Sequence, residues 1–397
     1  MVARRQFEGR ASAGVTLLEK MAFGHLTNIF PLESVRDALA EHNRKTVRVR
    51  ELPTELTVYL QILQGLYGER PQKEVLACTT EGLQYLFGTK EFKLPSKAAI
   101  SKRRSHVGWE PLKLLFDRCC KPLSKPGTKG SYYKNWLVTA LDGTDFDLAD
   151  TPENDKYFGR SQNQNSVGPY PKAHAVALME VGTRTAIGLE IGVYRDSELT
   201  LAEKLIPTLS CRYLVLADRL FMSYDLFKEA SDTGAALVFR ARLDRKLDPV
   251  EYLNDGSFIS MIYPSEGPNR KQRGIKVRAI EYEVVGSPSG EIIRLITSIL
   301  DPRDAPADDL ATLYHERWEI ETMLDELKTH LEIKIVRSKT PNLVKQEIYG
   351  IFMAHYALKS VMHGAARRDD IDPDNVSFIH SVRVIRRAII SSGAFSP

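Results

Sequence analysis

The sequence predicts a mixed fold, α+β and α/β by turns, preceded by an all-α N-terminal domain. Three observations predict it. Apolar residues at helical spacing dominate residues 1 to about 130. Apolar strand-like runs alternate with helices from 132 to about 240. Turn signals then crowd 243–291 before strand and helix return. The expected domains are 1–130, a core formed by 131–242 and 292–397, and a β-rich insertion at 243–291.

The chain of 397 residues is 43% hydrophobic and 27% charged. That excludes a disordered, collagenous or fibrous main state and leaves enough apolar material for a core without staples. The longest apolar runs, 137–141 and 292–300, fall far short of the roughly 20 residues that span a bilayer, so no membrane partner is expected. The opening residues MVARRQ have no apolar stretch behind them, so no secretory leader is expected. Cys78, Cys119, Cys120 and Cys211 lack CxxC spacing and read as reduced thiols of a cytoplasmic protein. A net charge of +4 permits a polyanionic partner without demanding one.

Leu32, Val35 and Leu39 mark a helix over 31–42, and Leu56, Leu60 and Leu63 a second one begun by Pro53. Val75, Cys78, Leu83 and Leu86 continue the helical pattern beyond Pro71. Ser96 caps a basic helix through Arg104, and 111–120 is helical again. Strands follow at 136–142, 173–180 and 185–193. A helix is expected at 197–209, a strand at 213–218, a helix at 224–231 and a strand at 235–242. Short strands at 258–263 and 275–285 lie among turns, and 292–300 rejoins the sheet. Two long helices, 307–331 and 342–363, follow.

Asp142 (in WLVTALD) and Asp218 (in YLVLAD) each end an apolar strand, the edge where α/β sheets hold ligands. Two carboxylates there suit a hard divalent cation. Asp is also an ordinary turn former at strand ends, and the strand pattern does not choose between these readings. On a continuous helix at about 100° per residue, Tyr314, Arg317, Glu321 and Lys328 share a sector about 60° wide beside the apolar stripe. A carboxylate there completes a metal site, and the Arg fork and Lys charge suit phosphates. A solvated, salt-bridged face explains the same pattern, and Asp325 lies in nearly the same sector.

The spacing Tyr314-x2-Arg317-x3-Glu321-x6-Lys328 resembles the YREK signature of the insertion-sequence-four family of bacterial DDE transposases. Asp142 in Leu-Asp-Gly-Thr resembles that family's first acid and Asp218 in Leu-Ala-Asp-Arg-Leu-Phe its second; Glu321 matches the third. The run from about Phe23 to Leu86 resembles its N-terminal domain. The resemblance implies a ribonuclease-H-like catalytic core with a β-rich insertion between the second and third acids. It implies two Mg²⁺ ions, with Mn²⁺ as substitute, held by Asp142, Asp218 and Glu321, with Asp142 bridging. It also implies that Tyr314, Arg317 and Lys328 touch phosphates near the element's ends.

The implied activity is Mg²⁺-dependent nicking, hairpin formation, release and strand transfer into target DNA. The partners are double-stranded DNA of ends and target and, on two ends, a second copy as a homodimer. The place is the bacterial cytoplasm, on the nucleoid. Lys97, Lys102, Arg103 and Arg104 are candidate phosphate contacts on a groove-lying helix, against a simply solvated basic face. Arg44, Lys45, Arg48 and Arg50 form either a DNA-facing arm or an ordinary exposed strand, and Arg270, Lys271, Arg273 and Lys276 either run beside the DNA backbone or are simply solvated. Residues 157–174 read as a loop mobile without DNA, and Trp318 as packed against a neighbour.

Three other functions are weighed. A stand-alone nuclease of the same fold has no need of Tyr314 or the N-terminal domain. A catalytically or assembly-defective remnant acts only as a DNA-binding protein; a chain that stops at Pro397, soon after a helix at 381–390, raises this reading. A two-carboxylate glycosidase leaves Arg317 and Lys328 without a task.

Overall fold

The computed structural model describes residues 26–45, 52–68, 70–77, 94–163, 166–268, 270–283 and 291–394. Cys78, Arg48, Arg50 and the helical pattern over 78–86 lie outside them. In chain order the helices are α1 (Leu32–Glu41), α2 (Thr54–Tyr67), α3 (Lys97–Val107), α4 (Glu110–Cys119), α5 (Pro152–Phe158), α6 (Glu198–Glu203), α7 (Tyr224–Asp232), α8 (Ala307–His315), α9 (Trp318–Asp325), α10 (Pro341–Asp369) and α11 (Phe378–Ala394). The strands are β1 (Tyr132–Tyr133), β2 (Trp136–Asp147), β3 (Arg160–Asn163), β4 (Ser166–Glu180), β5 (Thr185–Val193), β6 (Tyr213–Ala217), β7 (Ala236–Ala241), β8 (Glu251–Tyr252), β9 (Phe258–Ile262), β10 (Ile275–Glu283) and β11 (Ile292–Thr297). The chain forms two compact units. No helix among the described residues is long and apolar enough to cross a membrane.

The first unit, 1–123 with 147–171 and 325–397, is helical. Its centre is α2 against α10. Every residue of α2 except Glu55 is buried, so a helix expected to bury one face is enclosed on all sides. Two glycines allow the approach. A Cβ on Gly65 would lie 2.8 Å from the Cβ of Ala354, and one on Gly350 would lie 2.6 Å from the carbonyl oxygen of Gln61. Residues 157–174, expected as a mobile loop, instead hold β3 and the start of β4. These pair antiparallel, Arg160 opposite Pro171 and Gln162 opposite Val167. Arg160 ties the hairpin to Asp155 (2.7 Å) and Asp150.

The second unit, 124–146 with 172–324, is built on one sheet. The strands run β4-β2-β6-β7-β11-β10-β9-β8 in space, with β5 on the free side of β4 and β1 on β2. β2, β6 and β7 are parallel, while β7, β11, β10, β9 and β8 alternate antiparallel. The turn-rich segment after β7 thus contributes β8, β9 and β10 to the same sheet. Leu141, Val176, Leu178, Leu201, Val215 and Phe239 belong to a core that α6 and α7 cover. The helix expected over 197–209 stops at Glu203 and resumes as a 3₁₀ turn, Ile206–Thr208, because Pro207 has no N–H for a continuous α-helix.

Candidate active site

The register of the parallel pair brings the first two acids together. Leu141 stands opposite Ala217, so Asp142 and Asp218 are the next residues on neighbouring strands, which run about 4.8 Å apart. The two differ locally. β6 ends at Ala217, and Asp218 caps the 3₁₀ turn Arg219–Phe221 by accepting from the Arg219 amide. β2 does not end at its acid, as the sequence suggests. Its other edge is paired to β4, so the strand runs on through Asp142 to Asp147.

The third acid arrives on a helix that departs from the expected one. The single helix expected over 307–331 breaks at Glu316–Arg317, where the amides of Glu316, Arg317, Glu319 and Ile320 all bond three residues back. This 3₁₀ tightening brings side chains at i and i+3 into line, so Arg317 stands over Tyr314 instead of about 60° away. After Asp325 the pitch widens to a π-helical turn, Glu326–His330, which carries Lys328 in the first unit. The common sector computed for a uniform helix therefore does not describe these four residues.

Arg317 joins the acids. One guanidinium nitrogen lies 2.8 Å from Glu321 Oε1 and another 3.4 Å from Asp142 Oδ2. Its side chain is buried, and Nε has no hydrogen-bond partner among the described residues. Burial opposes its charge, but the hydrogen bond to Glu321 and the charges around it hold its pKa above the usual arginine value. Tyr314, expected to touch DNA directly, is 4% exposed and interacts with Arg317; burial pushes its phenol up. Its side chain lies on the buried face of α8, with Ala307 and Leu310. Trp318, expected to pack, is 59% exposed, with the Arg317 guanidinium 5.7 Å from its ring.

Burial pushes the Asp142 carboxyl above its ordinary value. The Gly143 amide, at 2.8 Å, and Arg317 pull it down; Glu321 and Asp218 add to the rise. The three acids thus act on one charge centre. Among the described residues no three acidic, His or Cys side chains stand at metal-holding distances, and Arg317 lies between Asp142 and Glu321. By its chemistry, though, a set of three carboxylates with one buried arginine among them carries an excess of negative charge and is of the kind that suits a hard divalent cation.

Of the basic helix α3, Lys97 and Lys102 are exposed and Arg103 half-exposed. Arg104 corrects its expected role. It is 6% exposed and bonds to Gln346 Oε1 (2.9 Å) and Ser338 Oγ (3.0 Å), since its helix face packs inward with Ile100 and Val107. It cannot present its fork to a phosphate.

A family model described as a transposase DDE domain matches residues 137–357, and one described as the insertion element 4 transposase N-terminal region matches 20–117. The chain belongs to the insertion-sequence-four family of DDE transposases. It is 26% identical over 370 residues to the transposase InsG for insertion sequence element IS4 of Escherichia coli (strain K12), covering 92% of this chain and 82% of that protein. A solved piggyBac transposase synaptic complex with hairpin DNA aligns over 94% of this chain and 80% of its own, at 12% identity and a TM-score of 0.48.

Sequence reasoning passed over one group in the transposase. His174 on β4 lies with Nδ1 2.6 Å from Asp145 Oδ1 and Nε2 3.7 Å from Glu198 Oε1. The hydrogen bond to Asp145 raises the imidazole pKa against burial; burial raises the Glu198 carboxyl, which His174 pulls down and Asp142, Asp145 and Asp218 push further up. Asp145, two residues beyond Gly143 on the same strand, was the available signal; its partners come from elsewhere in the chain.

Proposed function

We propose that this bacterial insertion-sequence transposase uses Asp142, Asp218 and Glu321 to hold the divalent cations of DNA cleavage and strand transfer. The observation that supports it most is Arg317. It reaches Asp142, 175 residues away in sequence, and Glu321 at once, while Asp142 feels Asp218. Mg²⁺ is the proposed cation and Mn²⁺ its substitute, since carboxylate oxygens accept both. When bound, such a cation pair activates the attacking oxygen and stabilises the leaving one.

The chain's own residues do the rest. Arg317 would offer a phosphodiester a two-pronged fork that Lys would not reproduce. Tyr314 holds Arg317 from behind. Lys328 adds a point charge for a phosphate near the element's end, and Lys97, Lys102 and Arg103 contact phosphates further along it. Residues 1–130 are assigned to binding the ends, and 131–242 with 292–397 to a ribonuclease-H-like core interrupted at 243–291. A parallel sheet centre bearing two acids, with the third on a helix, supports that core. Two copies pair the two ends. The place of action is the cytoplasm, on the nucleoid, where the DNA lies.

Glu321→Gln keeps the shape of the third acid and removes its charge. Mg²⁺-dependent cleavage of the element's own terminal repeats is expected to disappear while a gel shift with those ends survives. Undiminished cleavage refutes the role of Glu321.

A further inference from the structure

The Asp145–His174–Glu198 group has no task in the reaction above, yet three elements converge on it. Side chains alternate along β2, so Leu141, Gly143 and Asp145 share one face and Asp142 points to the other. The shared face is the one on which Leu141 packs with Val176 and Leu201. There α6 begins, capped by Ser197, whose Oγ accepts from the Thr200 amide at 3.1 Å. The cap fixes the first residue of the helix, Glu198, against the strand. A Cβ on Gly143 would lie 2.2 Å from Glu198 Oε1 and 2.6 Å from its Cδ, so the carboxylate rests directly on the backbone beside Asp142. His174 then ties this carboxylate to Asp145, two residues further along the strand.

The location matters because β2 loses a neighbour there. Its register with β6 ends at Leu141 opposite Ala217, so the residues from Asp142 onward have no β6 partner on that edge. Asp142 is thus carried by a strand braced by β4 on one side and by this clasp behind.

We propose that His174 is a positioning residue: by clamping Glu198 and Asp145 across the back of Gly143, it fixes the backbone that aims the Asp142 carboxylate. The proposal rests on the reading of Asp142 as a cation ligand. Misplacing a ligand by the flexing of one unbraced residue weakens cation binding without touching the DNA-binding surface. Loss of partners that orient metal ligands typically costs about 10–100-fold in affinity.

The test is calorimetric titration of the full-length protein with Mn²⁺ alone, without DNA. It is paired with single-turnover cleavage at saturating DNA and a gel shift. The variants are His174→Ala, Glu198→Gln and Gly143→Ala. The last leaves every charge in place and only displaces Glu198, so it separates geometry from electrostatics and stands if the other two fold poorly. All three are expected to raise the Mn²⁺ dissociation constant about tenfold or more, with end binding unchanged. His174→Ala combined with Glu198→Gln is expected to be no worse than either alone, as for two residues acting as one unit. Wild-type Mn²⁺ affinity and cleavage in Gly143→Ala and Glu198→Gln overturn the clasp, provided Asp142→Asn abolishes Mn²⁺ binding. If Asp142→Asn also binds Mn²⁺ normally, the cation reading falls and the clasp with it.

Discussion

Replacing Lys359 by methionine tests how the helical unit tolerates charge in its interior. Glu326, on the π-helical turn, is 4% exposed; its Oε1 accepts from Lys359 Nζ at 3.2 Å and its Oε2 from His355 Nε2 at 2.8 Å. Burial pushes the imidazole of His355 down, so the neutral ring donates, and Lys359 is the group that balances the carboxylate's charge. Burial alone raises the Glu326 carboxyl, but His355 and Lys359 outweigh it and hold the carboxyl below its ordinary value.

Lys359→Met therefore leaves a buried carboxylate with one neutral donor, a change that costs about 3–5 kcal/mol. The pH dependence follows from the signs. In the wild type the lowered Glu326 value contributes stability that is present above the unfolded value, about 4.3, and is lost as pH falls through the folded one. In the variant burial prevails and the value rises above 4.3. Its contribution is then present at acid pH and lost as pH rises, so the deficit is largest at neutral pH and shrinks toward pH 4. Urea unfolding at pH 7 and pH 4 reads this directly. Glu326→Leu/Lys359→Met, which removes both charges, is expected to recover most of the loss. A single variant within about 1 kcal/mol of wild type at pH 7, or a deficit that grows on acidification, refutes the reasoning.

Gly65→Ala drives a methyl into Ala354 and the Gly350 carbonyl at the crossing of α2 and α10, and is expected to destabilise by about 1–3 kcal/mol in thermal or urea unfolding. A salt series of end binding separates exposed from buried basic residues on α3. Lys102→Gln is expected to lower the slope of log affinity against log salt by about 1. Arg104→Gln, whose partners are Gln346 and Ser338, should leave the slope unchanged and lower the melting temperature.

The candidate acids stood out in the sequence for a local reason. An apolar run followed by Asp, and Glu at fixed spacing from Tyr, Arg and Lys, are patterns that few neighbouring residues determine. The alternation of strands and helices from 132 to 240 was legible likewise, because burial on a sheet imposes a period on each segment by itself. What escaped depends on residues far apart in the chain. Arg104 looks like one of four surface cations until α10 supplies Gln346. Arg160 looks like part of a loop until the hairpin closes on it. A uniform helix at 307–331 was the natural expectation, since nothing in its periodicity marks the 3₁₀ break at Glu316–Arg317.

By itself the sequence determined the family, because motif chemistry and spacing are properties of the chain. Tertiary structure decided which charges face solvent, how the first two acids come into register, and that a histidine clasp backs Gly143. Those are decided by packing, where the low dielectric of the interior makes each buried charge depend on a partner that only folding can bring to it.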